Sequence, residues 1–441
     1  MSKHVRTHDP QRRRFLTSSG ALVLAAAGAS ATRTVMGQTR GNGAEIAIVG
    51  AGAAGTSLAN RLANALDDAN ITVIDPRVTH IYQPGLTMVA ATGWRADKVQ
   101  EPASRYMPGD VRWLQESVVE YEPENNRVRT DAGTVVEYDY LLVATGVTLD
   151  FDRIEGMDPG LIGAHGIGCV YDHPDHAAAT SRVIDRFVEE GGEGLFIQPP
   201  GAIKCAGAPF KISLLTEDRL RRAGTRDDSD LTFVAPTRGL FSQPDIDDFL
   251  KEQMPGPRGF SMAWEQELIG IEPEARRATL ATHNGERTVD YDFIHVVPPM
   301  SPPDAVLESD LVWADGDFAG WLEVDRHTLQ HRRYPNIFGV GDVIGTPIGK
   351  TAASVKDQVP IAVDNLLDVI ADREPQSRYN GYTSCPLLTE MGRGILVEFD
   401  YSLDMVPSFN FISPYREHWV PWLLKDRMLQ PAYQAMLRGR V

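Results

Sequence analysis

Two of the three cysteines in this chain, Cys205 and Cys385, stand in sequence contexts that favour thiol chemistry. Cys205 follows Lys204 and comes shortly before the run from Phe210 to Arg222, which has the pattern of a helix. A basic neighbour and the start of a helix both lower the pKa of a thiol. We therefore expect Cys205 to favour the thiolate, the form that attacks disulfides and flavins. Cys385 lies far along the chain, but folding can bring distant loops together.

The number of cysteines indicates redox or catalytic thiols. Three cysteines in 441 residues are too few to form a disulfide scaffold in a chain of this size. For each of them the alternative is burial as an inert apolar side chain. Two interpretations stay open for Cys169, which is either a third sulfur in a relay or a packing residue.

The loop that contains Cys205 has the frame of a second dinucleotide-binding unit but not its glycines. Residues 199–207 read Pro-Pro-Gly-Ala-Ile-Lys-Cys-Ala-Gly. A nicotinamide cofactor needs close backbone approach and free N–H groups at this turn, and two prolines plus a thiol supply neither. The loop therefore predicts that electrons enter through sulfur and not from NAD(P)H.

An earlier segment carries a complete nucleotide-binding pattern. The apolar strand 45–49 leads into Gly-Ala-Gly-Ala-Ala-Gly at 50–55, a helical stretch follows, and a second strand ends at Asp75. Gly50 permits the tight turn, Gly52 lets a pyrophosphate approach, and Gly55 lets the helix lie close to the strand. Asp75 follows Gly55 by about the twenty residues that place an acid on an adenosine ribose.

Two later segments favour FAD over NAD. The stretch 138–146 is a buried strand that ends in Ala144, Thr145 and Gly146, a turn common in flavoproteins with two dinucleotide-binding domains. The stretch 334–342 is typical of the late strand of that fold, whose terminal acid, here Asp342, holds the ribityl chain. Lys350 and Thr351 then begin a helix whose positive end can stabilise a reduced flavin.

Charge and composition exclude one class of partner. The formal net charge of −17 argues against nucleic acid, since that binding depends on Lys and Arg contacts to phosphate. The chain is long enough for two or three domains, each with its own core. His173 and His176 have no second ligand cluster in the sequence, so we expect a solvated turn there and no metal site.

The two ends of the chain predict export and contact with a membrane, respectively. Residues 1–36 contain Arg12-Arg13-Arg14, a weakly apolar run and a small-residue exit, the order of a twin-arginine export signal. We expect a periplasmic protein, the alternative being a disordered basic tail. From 415 to 440, Trp and Leu mix with basic residues, which suits a helix in the lipid interface or one packed on the body.

Five long motifs resemble sulfide:quinone oxidoreductases, in particular the branch that includes the mitochondrial enzyme. They occupy 201–209, 298–304, 328–335, 350–353 and 381–387, and the likeness runs from about Ala44 to the C-terminus. It implies an α/β fold with two Rossmann-like domains, as in glutathione reductase, and a C-terminal amphipathic membrane-contact region. The implied FAD domain is discontinuous, 44–160 plus 320–380, with the second domain at 161–319 and a redox-cysteine region at 381–441.

The resemblance also implies site residues and a reaction. Cys205 and Cys385 would be a redox-active disulfide that sulfide opens to a persulfide, with electrons passing to FAD and then to a membrane quinone. The sulfane sulfur would leave on a small acceptor or as polysulfide. Phe399, Tyr401 and Phe411 are candidates for a quinone slot only by location, and core packing is the favoured interpretation. FAD contacts fall at Gly50, Gly52, Ala53, Ala54, Gly55, Asp75, Gln83, Val118, Asp342, Lys350 and Thr351.

Three other functions fit parts of the pattern. The flavoprotein subunit of a flavocytochrome c sulfide dehydrogenase shares the export signal and the cysteine pair, but the amphipathic C-terminus favours quinone. A non-catalytic sulfur carrier would not need both thiols and Lys350. An NADH:quinone oxidoreductase is opposed by the missing second glycine loop. The sequence does not predict an oligomeric state.

Overall fold

The computed structural model describes residues 43–441. The predicted twin-arginine signal at 1–36 lies outside these residues. The described strands are β1 Glu45–Val49, β2 Asn70–Ile74, β3 Thr79–Ile81, β4 Gln100–Pro102, β5 Arg112–Leu114, β6 Val118–Glu122, β7 Arg127–Thr130, β8 Val135–Glu137, β9 Tyr140–Val143, β10 Thr148–Leu149, β11 Ile167–Gly168, β12 Gly192–Ile197, β13 Ser229–Ala235, β14 Ser261–Trp264, β15 Glu267–Glu272, β16 Arg277–Thr282, β17 Gly285–Asp290, β18 Phe293–His295, β19 Met300–Ser301, β20 Ile337–Gly339, β21 Thr383–Glu390 and β22 Arg393–Phe399.

Helices pack with the sheets, and the last two lie near the C-terminus. They are α1 Ala53–Ala65, α2 Leu86–Thr92, α3 Pro174–Glu190, α4 Ala208–Ala223, α5 Pro244–Gln253, α6 Asp304–Leu307, α7 Ala352–Ile370, α8 Trp419–Leu423 and α9 Leu429–Leu437. One π-helical turn, Leu424–Met428, joins α8 to α9 and is called the π turn below.

The first large sheet has the order β20-β9-β1-β2-β5, and all its pairings are parallel. Strand β1 reads Glu-Ile-Ala-Ile-Val and is buried from its second residue onward, as expected for a central parallel strand covered on both faces. Parallel strands end at the same edge, so the turns after β1, β2, β9 and β20 lie together. This edge therefore gathers the glycine loop, Asp75, Thr145 and Asp342.

The second large sheet, β11-β18-β12-β13-β14, is also parallel. The loop 198–207 follows β12 and leads into α4, so Cys205 lies at the strand-to-helix turn of a Rossmann-like unit. Smaller antiparallel sheets complete the fold, among them the hairpin β21-β22 that carries Cys385.

These two sheets confirm the predicted fold class, an α/β protein with two Rossmann-like units. The first sheet receives β20 from residues far along the chain. We propose that the first domain takes in 44–160 and 320–380, that the second spans 161–319, and that 381–441 forms the C-terminal region. Among residues 43–441, no helix combines the length and apolar character needed to cross a membrane.

Candidate active site

The glycine loop after β1 is shaped by close backbone contacts. A Cβ on Gly55 would overlap the carbonyl oxygen of Gly50, and one on Gly50 would overlap the carbonyl oxygen of Ala144. Gly50 also has a left-handed backbone, with φ of 101°. By contrast, a Cβ on Gly52 would meet only an Arg77 guanidinium nitrogen, at 3.9 Å. The loop is therefore packed on the protein side and open on the side where a pyrophosphate would lie.

Asp75 anchors this loop and positions a cation beside it. Its carboxylate accepts the Ala51 N–H at 2.6 Å and the Arg77 guanidinium at 2.6 Å. Burial alone would raise the pKa of Asp75, but the bonds from Arg77 and from backbone N–H groups hold it below its usual value. The sequence pattern predicts that Asp75 binds a ribose, but it gives no signal for Arg77. The guanidinium adds a positive charge to the open side of the loop.

The residues at this edge fit FAD. The first turn of α1 has no acidic residue and no side-chain cap, so its N–H groups and positive dipole end are available to a pyrophosphate. Ala53 and Ala54 belong to this turn. The hydroxyl of Thr145 is buried without a hydrogen-bond partner among the described residues, and Gly146 follows it with φ of 74°. A bound dinucleotide would satisfy these donors.

Replacing Gly55 by alanine is expected to weaken FAD binding, because the methyl group forces α1 away from the Gly50 turn. Overpacking of this kind costs about 1–3 kcal/mol, or roughly 10- to 100-fold in affinity. The ratio of absorbance at 450 nm to that at 280 nm in the purified variant measures the loss. Gly109→Ala is the matched control, since a Cβ there meets open space. A Gly55→Ala protein with full FAD content would contradict the prediction.

Asp342 and Lys350 lie together after β20. The Lys350 ammonium donates to the carbonyl oxygens of Asp342 and Ile344 at 2.6 and 3.0 Å and lies 3.5 Å from the centre of the Trp321 ring. Burial lowers the pKa of Lys350 to about 7, and the nearby Asp342 opposes that shift. The same burial raises the pKa of Asp342.

The remaining predicted FAD contacts lie in separate elements. Gln83 is exposed and follows the buried Tyr82, and Val118 begins β6. Thr351 caps α7 by accepting the Ser354 N–H at 3.1 Å. These roles in FAD binding stay predictions.

Two contacts bring the cysteines to the start of α7. The Cys205 N–H donates to the Lys350 carbonyl oxygen at 2.9 Å, and the Cys205 backbone is left-handed, with φ of 52°. The hydroxyl of Thr351 is 3.0 Å from that of Thr383, which begins β21 two residues before Cys385. The loop after β12 and the β21 strand therefore meet at one helix terminus.

At this meeting point Cys205 and Cys385 are hydrogen-bonded to each other. Gly207 leaves the space for their approach, since a Cβ there would lie 2.7 Å from the Cys385 sulfur. The bond from Cys385, and then the positive charge of Lys211, hold the pKa of Cys205 well below its usual value despite burial. The bond to Cys205, with burial, raises the pKa of Cys385. The pair therefore holds a thiolate on Cys205 and a proton on Cys385.

Two buried lysines, neither singled out from the sequence, surround the sulfur pair. Lys211 in α4 is 1% exposed, and its ammonium donates to the Cys205 sulfur at 3.4 Å. Lys425 in the π turn is 3% exposed and belongs to the segment that the sequence predicted to lie either in the lipid interface or packed on the body. Lys204, the expected basic neighbour, instead has Asp342 and Asp172 among its electrostatic partners. A lone lysine in the apolar run Phe-Lys-Ile-Ser-Leu-Leu was the available signal for Lys211.

Cys169 does not join this pair. Its side chain is fully buried, its N–H donates to the Thr180 hydroxyl at 2.9 Å, and burial raises the pKa of its thiol to about 12. A protonated, enclosed thiol is a poor nucleophile. This arrangement favours the packing interpretation.

The C-terminal region divides into an outer and an inner part. Phe411 is 76% exposed and Trp419 is 59% exposed, and Tyr415 and Leu423 are exposed beside them in sequence. From α9 onward the chain packs on the body instead, with the Tyr433 hydroxyl 2.8 Å from His80 Nε2. Phe399 is buried, so the structure gives this quinone-slot candidate a core position. Within the described C-terminal region, the large exposed apolar side chains therefore lie between Phe411 and Leu423.

Together, the glycine loop and the thiol pair define a flavoprotein of the disulfide-oxidoreductase class. The family model for pyridine nucleotide-disulphide oxidoreductases matches residues 44–181. The mitochondrial sulfide:quinone oxidoreductase of Mus musculus is 34% identical over 405 residues, which cover 91% of this chain and 88% of that protein. The Dictyostelium discoideum mitochondrial enzyme is 35% identical, covering 90% of this chain and 87% of that one.

The chain belongs to the sulfide:quinone oxidoreductase family, as the sequence motifs predicted. A crystal structure of the sulfide:quinone oxidoreductase from Aquifex aeolicus has the same fold, with a TM-score of 0.71 and 20% identity. That match covers 90% of this chain and 92% of the Aquifex chain. Membership confirms FAD as the cofactor.

Proposed function

We propose that this protein is a sulfide:quinone oxidoreductase that oxidises sulfide at the Cys205–Cys385 pair. The observation that carries the proposal is the contact of two cysteines far apart in sequence, with a buried lysine bonded to both sulfurs. Three further observations support the proposal. The chain belongs to the family, the glycine loop after β1 and its surroundings fit FAD, and the second loop lacks the glycines that bind a nicotinamide cofactor. We retain Cys205 and Cys385 as the catalytic residues.

The sulfur step follows from the charges at the pair. Removal of two electrons and the one proton held on Cys385 joins the sulfurs as a disulfide. Hydrosulfide then attacks the Cys385 sulfur, because Cys205 is the better leaving group: its thiolate is stabilised by Lys211. The products are a persulfide on Cys385 and a thiolate on Cys205. A small nucleophile then takes the sulfane sulfur, or the sulfur leaves as polysulfide.

When bound, FAD supplies a two-electron acceptor that is reoxidised by a quinone. The residues of the chain determine the charge and the space around the thiols and the flavin site. The Lys350 side chain and the positive end of α7 lie at the same place, and the Cys205 N–H bond to the Lys350 carbonyl oxygen fixes Cys205 beside that helix terminus. Gly207 has no side chain, which leaves space beside the Cys385 sulfur.

A direct assay tests the quinone as acceptor. The FAD-loaded protein is given sulfide with either decylubiquinone or cytochrome c, and turnover is followed by absorbance. We expect turnover with the quinone. Turnover with cytochrome c alone would identify a flavocytochrome-type sulfide dehydrogenase subunit, and no turnover with either acceptor would favour a sulfur carrier.

We also propose that the exposed aromatic segment attaches the protein to a membrane surface. The double variant Phe411→Ser, Trp419→Ser is expected to bind vesicles about 10²- to 10⁴-fold more weakly, because each of the two aromatics contributes about 1.5–3 kcal/mol when buried in lipid. Co-sedimentation with phosphatidylcholine–phosphatidylglycerol vesicles measures this. Val119→Ser removes an exposed apolar side chain elsewhere and serves as control. Equal binding of both variants would exclude this segment as the attachment site.

A periplasmic location, with export through the twin-arginine route, remains a proposal based on the sequence of residues 1–36. The proposed partners are sulfide, a membrane quinone and a small sulfur acceptor. Fractionation of cells that express the full chain, compared with an Arg12→Lys, Arg13→Lys, Arg14→Lys variant, tests the route. We expect the wild-type protein in the periplasmic or membrane fraction and the variant in the cytoplasmic fraction.

A further inference from the structure

The Lys425 ammonium is buried and has no bonded partner among the described residues. No hydrogen bond or ion pair connects it to another residue between 43 and 441, although its side chain is 3% exposed. Its neighbour Asp426 is occupied elsewhere, by the Trp94 indole N–H at 2.9 Å and by Arg427 at 2.7 Å. Burial of an unpaired charge is costly unless a ligand of opposite charge completes the site.

The groups that face Lys425 come from the sulfur pair and its lysine. Burial, and then repulsion from Lys211, lower the pKa of Lys425 to about 8, while electrostatic interaction with the sulfur pair, chiefly Cys205, opposes the shift. Lys211 already donates to both sulfurs. Lys425 therefore brings a second positive charge to the pair, with its own donors unused.

The π turn explains how a lysine in an apolar, surface-facing segment points inward. Exposed Leu423 precedes the turn, and buried Leu424 and Lys425 open it. A π turn inserts an extra residue into helical backbone and re-aims the side chains that follow, a feature frequent at functional sites.

We propose that Lys425 binds the hydrosulfide anion and holds it against Cys385 for attack. This inference rests on the proposed function and adds a binding position to it. The incoming sulfur forms a bond to the Cys385 sulfur, the Cys205–Cys385 bond breaks, and its electron pair leaves on Cys205. The hydrosulfide proton stays on the new persulfide, so Lys425 contributes charge and hydrogen bonds without losing its proton.

The test compares Lys425→Met with Lys425→Arg in the FAD-loaded enzyme by rapid-mixing measurement of sulfide-dependent flavin bleaching. The methionine variant should need at least about tenfold more sulfide for half-maximal rate, as expected for the loss of a charged hydrogen bond. The limiting rate should change much less, and arginine should restore most of the affinity. Above a pH of about 8, where Lys425 loses its proton, the wild type should lose sulfide affinity and the arginine variant should not.

Lys98→Met is the matched control, since the Lys98 ammonium lies over the Trp94 ring, 3.1 Å from its centre, and interacts with Asp426 and Arg427, not with the sulfurs. If Lys425→Met fails to retain FAD, Lys425→Gln carries the same expectation. The inference is overturned if the methionine or glutamine variant needs the same sulfide concentration as the wild type for half-maximal rate. It is also overturned if the variant changes only the concentration of sulfite or glutathione that is needed as sulfur acceptor. Failure of sulfide to bleach the wild type would instead overturn the proposed function.

Discussion

Replacing Cys385 by serine is expected to abolish sulfide-dependent reduction of the bound FAD, and Cys205→Ser should do the same. A hydroxyl cannot form the disulfide or the persulfide, so no sulfur route to the flavin remains. The loss should be at least about 10⁴-fold, comparable with the removal of a catalytic nucleophile in other enzymes. Anaerobic mixing with sulfide, followed at the flavin absorbance near 450 nm, measures it.

The third cysteine provides the control for this experiment. Cys169→Ser removes an enclosed thiol that does not contact the pair, and its bleaching rate should stay close to that of the wild type. Full bleaching in both pair variants would remove the proposed mechanism. A large loss in Cys169→Ser, with FAD content and thermal unfolding unchanged, would show that the relay includes a third sulfur.

Lys211→Met is expected to have the second largest effect. The ammonium donates to Cys205 and also bonds Cys385, so its loss leaves the Cys205 thiolate without its nearest positive charge. Loss of an opposite charge at this range raises a thiol pKa by about 1–3, so the pH at which half of Cys205 is thiolate should rise by that amount. Reduction by sulfide should slow accordingly.

The pH dependence of Lys211→Met distinguishes charge loss from misfolding. In the wild type the Cys205 thiolate is lost only as the pH falls through its lowered pKa. Without Lys211 that pKa rises, so the acid limb of the activity profile should move to higher pH and alkaline conditions should restore part of the rate. Lys251→Met removes a surface lysine paired with Asp247 and should leave the profile unchanged. An unshifted acid limb in Lys211→Met would contradict this role.

Short-range features of this fold could be predicted from the sequence. The glycine spacing at 50–55 and the apolar strands on either side depend on contacts within one βαβ unit, and both large sheets formed as expected. The loop at 199–207 could likewise be assigned to a strand-to-helix turn, since its prolines and Cys205 lie between an apolar strand and an apolar helix.

The charged surroundings of the sulfurs could not be predicted in this way. Lys211 and Lys425 are buried only because the β21 strand and the π turn reach the loop after β12 from distant parts of the chain. The pairing of Cys205 with Cys385 itself rested on the family resemblance. Similarly, α9 packs on the body because Tyr433 contacts His80 and Tyr82, which lie far away in the sequence. The periodicity of the helix alone does not reveal these contacts.

The left-handed backbone at Cys205 has a consequence for how this chemistry could be lost in evolution. Glycine adopts such a conformation without strain, whereas β-branched residues are strongly disfavoured there. A single cysteine-to-glycine change would therefore erase the thiol while relaxing the peptide that carries it. The scaffold around FAD could survive that step intact and become available to a descendant with a different substrate.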